Sequence, residues 1–276
     1  DGNDYPKLGY TLVSYDIHNV TELQWVAYDL QGDYRIVNDI DASATASWNW
    51  SVDHYEGFEP IGTFSGSLNG QGHEISDLYI NRSSTNYIGL FGKTGLGAWI
   101  DGVRLVDVNV SGDQYVGGLV GENNGTIKNS YGAGNVSGGY VGGLVGESSG
   151  LVNHSYAIVN VSGGSERTGG LVGQNLGLVN DSYAKGYATG DCWVGGLIGY
   201  NEGTVEGSHA MVDIDGEGEN GGLVGYNHGT INHSYATGNV TVDEGDVGGL
   251  VGDNSGLVND SYATGDVSLT GPWDGA

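Results

Sequence analysis

The chain has 276 residues, enough for one large domain or one solenoid, with 54 glycines and only three prolines. Glycine at this density without a Gly-X-Y period excludes collagen, and apolar residues set between the glycines at fixed positions exclude a flexible linker. Thirty-four acidic residues against eight basic ones leave a net charge of −26, which argues against nucleic acid as a partner because such a surface repels phosphate backbones. The same balance fits a salt-loving source or an ordinary secreted surface protein. A single cysteine, Cys192, rules out an internal disulfide framework, and no apolar run is long enough to span a membrane. Starting at Asp1 rather than Met, the sequence reads as a processed mature form.

In chain order, residues 1–18 read as an irregular N-terminal arm with a short strand at Tyr10–Ser14. Asn19 and Glu22 have the spacing of a capping box. Leu23, Val26, Ala27 and Leu30 follow at helical intervals, and Gly32 is placed to end the helix. Tyr34 to Asp41 reads as a strand, followed by a polar loop over 42–57. Short strands separated by glycine turns are expected at 58–62, 64–70 and 73–80.

From Ile88 a repeat takes over. Val-Gly-Gly-Leu-Val-Gly stands at 116–121, 141–146 and 247–252, with near copies at 168–173, 194–199 and 220–225. Its leucines (Leu90, Leu119, Leu144, Leu171, Leu197, Leu223 and Leu250) are spaced by 29, 25, 27, 26, 26 and 27 residues. Downstream of each hexad comes a Val or Ile (Ile127, Val152, Val179, Val205, Ile231, Val258), then a serine three residues later, then Tyr or His, then Gly or Ala. Alternation turns the Val/Ile, Ser and Ala positions inward. The tyrosines then point outward, as do Lys128, Asn153, Asn180, Glu206, Asn232 and Asn259. Val/Ile and Ser lie three apart, so a corner or bulge must fall between them. The expected fold is an all-β parallel solenoid, a β-helix, with about three short strands per coil of about 26 residues, glycine supplying positive φ at its corners. One short N-terminal helix caps its first edge. The divisions follow: an arm over 1–18, able to insert into a partner; a helix and irregular first coils over 19–87; repeats over 88–268; a tail over 269–276.

The hexad, with its downstream Asn-x-Gly-x-Val and Ser-Tyr-Ala-x-Gly, resembles the GLUG-motif repeat family. The stretch from Tyr34-Arg35-Ile36 through Phe58-Glu59-Pro60-Ile61-Gly62 to His73-Glu74-Ile75 resembles the segment that precedes such repeats. The resemblance implies a β-solenoid of an archaeal or bacterial cell-surface or adhesin-like protein. Such repeats also accompany immunoglobulin-A-specific metallopeptidases, whose catalysis resides in a separate zinc domain. No His-Glu-x-x-His occurs here.

Twelve Asn-x-Ser/Thr sequons occur, at Asn19, Asn49, Asn81, Asn109, Asn124, Asn135, Asn153, Asn160, Asn180, Asn232, Asn239 and Asn259. They are candidates for N-glycosylation of an exported protein, although two repeat positions account for eight of them. Tyr131, Tyr156, Tyr183, Tyr235 and Tyr262 form a candidate exposed aromatic ladder, able to bind sugars or simply to stabilise neighbouring coils. Acidic groups at Asp39/Asp41, Asp213/Asp215 and Asp243/Glu244/Asp246 are of a type that suits calcium, but none matches a known calcium loop, so a solvated acidic surface is expected and no cofactor. The seven histidines show no zinc spacing. Gly146-Glu147-Ser148-Ser149-Gly150 spells the nucleophile-elbow word without the helix that motif needs, and Cys192 reads as a structural thiol. No catalytic residue is assigned. The sequence therefore points to a non-catalytic extracellular structural protein, a glycosylated solenoid that self-associates head to tail into a cell-surface filament, sheath or layer. An adhesin or carbohydrate-binding stalk is the alternative, and a polysaccharide-degrading β-helix enzyme the third. Its partners are other copies or surface glycans and proteins, not nucleic acid.

Overall fold

The computed structural model describes residues 14–164, 166–243 and 245–271. The arm before Ser14, Glu244 and the tail beyond Gly271 lie outside them, as does nearly all of the strand expected at Tyr10–Ser14. The described chain winds into a parallel β-solenoid of about eight turns. Parallel sheets of 6, 8, 10 and 12 strands run along the stack as its four faces.

One coil shows why. Val116–Gly117 lies on the first face, Val120–Asn123 on the second, Thr126–Lys128 on the third and Tyr131–Gly138 on the fourth. The hexad is therefore split over two strands, with Gly118 and Leu119 at the bend. The stretch expected as one strand from Val/Ile to Ala is divided at the bend after Lys128, and its second part runs on into the Asn-Val-Ser stretch as a single strand, Tyr131–Gly138. Each residue pairs in register with its counterpart in the next coil, Val116 with Val141, Val120 with Val145, Ile127 with Val152 and Tyr131 with Tyr156. From Leu119 onward the uneven repeat length is absorbed at one corner, between the fourth face and the next hexad. The chain is shorter from Val136 to Val141 than from Val161 to Thr168.

The interior is a stack of identical layers. Leu119, Leu144, Leu171, Leu197 and Leu223 are fully buried, as are Ile127, Val152, Val179, Val205 and Ile231. Each such side chain contributes roughly 1.5–3 kcal/mol by leaving water. The expected corner between Val/Ile and Ser is a single left-handed residue. Asn129, His154, Asp181, His233 and Asp260 hold φ between 44° and 49°, and Asn and Asp enter that region more readily than most side chains. The hexad glycines do something different from what was expected of them, for none has positive φ. They are required by close approach. A Cβ on Gly169 would lie 1.9 Å from the Val172 carbonyl oxygen.

The two ends differ. In the first coil, helix α1 (Val20–Trp25) is capped by Asn19, whose side chain accepts from the Glu22 amide. It is shorter than its apolar spacing suggests. It passes into a 3-10 turn over Val26–Tyr28, well before Gly32. Leu23 and Val26 are fully buried against the first layer, while Ala27 is exposed. The Gln24 side chain both donates to and accepts from the Glu59 backbone, at 2.9 and 3.0 Å, as a neighbouring strand would. At the other end, Leu257, Tyr262, Val267 and Leu269 of the last described coil are exposed.

Candidate functional site

The tyrosine ladder forms as a ladder. Tyr131, Tyr156 and Tyr183 stack at 4.8 and 4.7 Å with rings within 4° of parallel. His209 continues the column at 5.1 and 4.7 Å, then Tyr235 and Tyr262 follow. In-register pairing at one coil spacing forces this overlap. Each ring covers its neighbour's faces, so all but the exposed Tyr262 are half-buried and present mainly their edges.

Burial holds the His209 imidazole below its usual pKa. Protonation there is opposed by the fold. The stability this residue contributes is complete above the unfolded value near 6.5 and is lost as pH falls through the lower folded value. His209→Tyr is expected to raise stability by about 0.5–1 kcal/mol through a larger stacking partner. It should also flatten the decline in melting temperature between pH 7 and pH 5, read by circular dichroism.

The sequons fall into different settings. Asn109, Asn135, Asn160 and Asn239 are exposed in one column of the fourth face. Asn153, Asn180, Asn232 and Asn259 form another column at the end of the third face. There the amides bond from coil to coil, Asn180 to Asn153 at 2.8 Å and Asn259 to Asn232 at 3.0 Å. Elsewhere Asn19 caps α1, Asn49 donates to the Gly57 carbonyl, Asn81 is half-buried and Asn124 donates to Glu122. The acidic groups serve turns and side chains. The Glu74 amide donates to Asp39 and holds its carboxyl below the ordinary range, and the Ser43 side chain, then its amide, does the same for Asp41. Asp213 accepts from the Asn239 amide, Asp215 from the Tyr187 hydroxyl and Asp243 from the Thr270 hydroxyl. Among the described residues no three His, Cys, Asp or Glu side chains gather as a metal-ion set. Cys192 is half-buried beside acidic neighbours, and burial first, then Glu219, pushes its thiol up.

Two interior polar columns run along the stack, the inward serines expected from the sequence and a second that the sequence reading did not include. One is serine. Ser130, Ser155, Ser182, Ser208 and Ser234 are buried, and each hydroxyl donates to the carbonyl two residues earlier. From Ser155 onward each hydroxyl also accepts the preceding coil's serine amide, as Ser182 does from Ser155 at 3.1 Å. The other is asparagine. Asn175 donates to Asn201 at 2.8 Å and Asn201 to Asn227 at 2.7 Å, all three buried. Ser148, the centre of the nucleophile-elbow word, occupies this second column. It is fully buried and accepts from Asn123 at 3.0 Å, on a strand with no helix after it. Among the described residues one buried hydroxyl has no partner, Thr168 in a column otherwise mostly valine. Thr168→Val is expected to stabilise the fold by about 1 kcal/mol in chemical denaturation, because it removes an unpaired buried polar atom and keeps the side-chain shape.

A second aromatic lane crosses the junction of the first and second faces. Tyr87 and Tyr115 stack at 4.9 Å, and Lys93 lies 3.4 Å above the Tyr87 ring. Farther on, the Arg167 guanidinium sits 4.6 Å from the Tyr140 ring and 5.0 Å from that of Tyr200, and it donates to Gln174. Trp193 tilts against Tyr200 and Tyr226 at 5.3 and 5.4 Å. Two carboxylates in neighbouring coils of this lane diverge. Burial pushes Glu147 up, and nearby Glu122 adds to it. Burial also raises Glu122, but its bonds to Lys93 and Asn124 outweigh that and hold it below the ordinary value.

These coils have known counterparts. The sequence model described as the GLUG motif matches residues 221–241, one hexad with the coil after it. That stretch carries the GLUG motif. Among curated proteins it is similar to halomucin of Haloquadratum walsbyi, 42% identical over 129 residues, or 46% of this chain and 1% of that protein. It is also similar to a Gly-rich membrane protein of Evansella cellulosilytica, 38% identical over 103 residues, or 35% of this chain and 11% of that protein. The chain thus spans a small part of either relative. Among solved structures it superposes on a Bacteroides ovatus chain named as an immunoglobulin A1 protease. The TM-score is 0.70 and the identity 20%, with 93% of this chain and 86% of that one covered. A second chain named IgA1 protease gives a TM-score of 0.65 at 16% identity over 95% of this chain and 22% of that one. At these identities the likeness shows the fold alone. No helix among the described residues is long and apolar enough to cross a membrane.

Proposed function

We propose that this chain is a non-catalytic structural rod at a cell surface, extracellular and glycosylated on its outward asparagines, whose coils extend by stacking end to end. The observation that carries the reading is the contrast between the two ends of the stack. At the first coil α1 buries Leu23 and the Gln24 side chain bonds to the Glu59 backbone. The last described coil offers strand edges together with Leu257, Val267 and Leu269, all exposed. Unpaired edges of this kind accept another coil, and a head-to-tail contact of unlike surfaces propagates. In a longer chain, further repeats supply that coil. In the 276-residue chain, a second copy does.

One relative supports a surface location through its name as a membrane protein. The acidic balance suits a soluble exterior. The protease names belong to the two structural neighbours, and here Ser148 is committed to the interior.

Light scattering behind size exclusion is the test, supported by negative-stain images. Rising concentration is expected to give linear oligomers that vanish in Leu257→Lys/Val267→Lys. Monomers alone at high concentration would overturn assembly. Intact-mass measurement of protein isolated from its native source tests glycosylation, and the bare-chain mass would rule it out.

A further inference from the structure

At the corner leading into the first face, four bulky residues hold a left-handed backbone: Tyr87 at φ 62°, Tyr115 at 59°, Arg167 at 70° and Trp193 at 50°. Side chains of this size rarely take that conformation, which glycine adopts freely. The chain has 54 glycines and places none of them at these four sites. Arg167 adds a second local cost, because its Nε–H is buried with no acceptor. Strain that recurs at one surface position, and that the surrounding fold must over-determine, marks geometry that is used.

The lane differs from the tyrosine ladder in a way that matters for binding. Ladder rings lie parallel and mask one another. In the lane Tyr200 and Tyr226 also lie parallel, 5.5 Å apart, but Trp193 stands at 40° and 43° to them, so the surface is faceted. Polar tips and a cation line it. The Tyr200 hydroxyl donates to Glu202 at 2.8 Å, that of Tyr226 meets His228 at 2.9 Å, and Arg167 lies over Tyr140. Tyr140 and Tyr226 are three coils apart, about 14 Å at the spacing of parallel strands.

We propose that the lane of Tyr140, Arg167, Trp193, Tyr200 and Tyr226 binds a linear, uncharged polysaccharide. A sugar ring has apolar C–H faces that pack on aromatic rings and a rim of hydroxyls that pair with guanidinium, carboxylate and imidazole groups. Aromatic side chains with polar tips suit that mixture. The lane is extended along the rod, so it fits a chain better than a compact molecule. A net charge of −26 selects against polyanions, acidic glycans included. The site is independent of end-to-end assembly, since it lies on the side of the stack.

Affinity electrophoresis of the intact chain tests this, with hydroxyethylcellulose, glucomannan and laminarin in separate gels and polygalacturonate for comparison. At least one neutral polymer is expected to retard the protein, and polygalacturonate is not. Trp193→Gly removes the ring and relieves the backbone, so it should melt like the parent and bind at least tenfold more weakly. Tyr226→Ala should weaken binding in the same direction, and Tyr156→Phe in the ladder should leave it unchanged. Failure of all three neutral polymers to retard the protein, equal retardation by polygalacturonate, or full binding by a folded Trp193→Gly variant would each overturn the proposal.

Discussion

Replacing Asn201 by alanine is expected to cost about 3 kcal/mol, a large share of the stability of a solenoid segment. Its side chain accepts from Asn175 at 2.8 Å and donates to Asn227 at 2.7 Å, with all three residues buried. Truncation deletes two buried hydrogen bonds and leaves the Asn227 oxygen without that donor. An unpaired buried polar atom alone costs about 1–3 kcal/mol. Because each coil contacts only its neighbours, the break separates the stack into two halves that then melt more independently. Asn180→Ala is the comparison. It too removes a coil-to-coil amide bond, to Asn153, but at the surface, where water replaces the partner, and it should cost under about 0.5 kcal/mol. Urea denaturation of both variants checks the contrast. Equal losses would mean that the interior column contributes no more than the exterior one.

That contrast also shows where the sequence was legible. The period, the parallel stacking and the inward Val, Leu and Ser positions all follow from residues that recur at fixed intervals. A stack of in-register coils must place like on like. The two asparagine columns look the same at the level of composition, and only their tolerance separates them. The outward position takes Lys128, Asn153 and Glu206, whereas the inward one takes Thr94, Asn123, Ser148 and Asn175, all small and uncharged. That difference is present in the sequence, but it becomes a burial pattern only once the coils stack in register. The Trp193 lane was not legible. Its residues come from two repeat positions, and one of them holds Tyr115, Arg167, Trp193 and Glu219 in different coils. A column of unlike residues produces no consensus, and their meeting depends on a corner whose length varies. The word spelled by Gly146 to Gly150 misleads for the opposite reason. Its serine sits in a register column whose neighbours dictate an inward side chain.

Gly170→Ala is expected to be nearly as damaging as the loss of Asn201, at about 3 kcal/mol, although it adds a single methyl group. A Cβ at this position would stand 2.1 Å from the Gly196 carbonyl oxygen and 2.9 Å from the Ala184 Cβ. No rotamer relieves a clash with backbone, so the coil must move away from its neighbour. Its sheet bonds lie along that direction, with the Leu171 amide on the Leu197 carbonyl at 2.9 Å. Overpacking of a tight interior costs about 1–3 kcal/mol where side chains can shift, and here they cannot be the part that shifts. Gly164→Ala supplies the control in the same coil. Nothing lies within 4 Å of its Cβ, so the change should be neutral or stabilising by about 0.4–1 kcal/mol through the unfolded chain. If the two alanines proved equivalent in thermal melts, the hexad glycines would be there for chain flexibility. A loss confined to Gly170→Ala means that they are there because successive coils leave no room for a side chain.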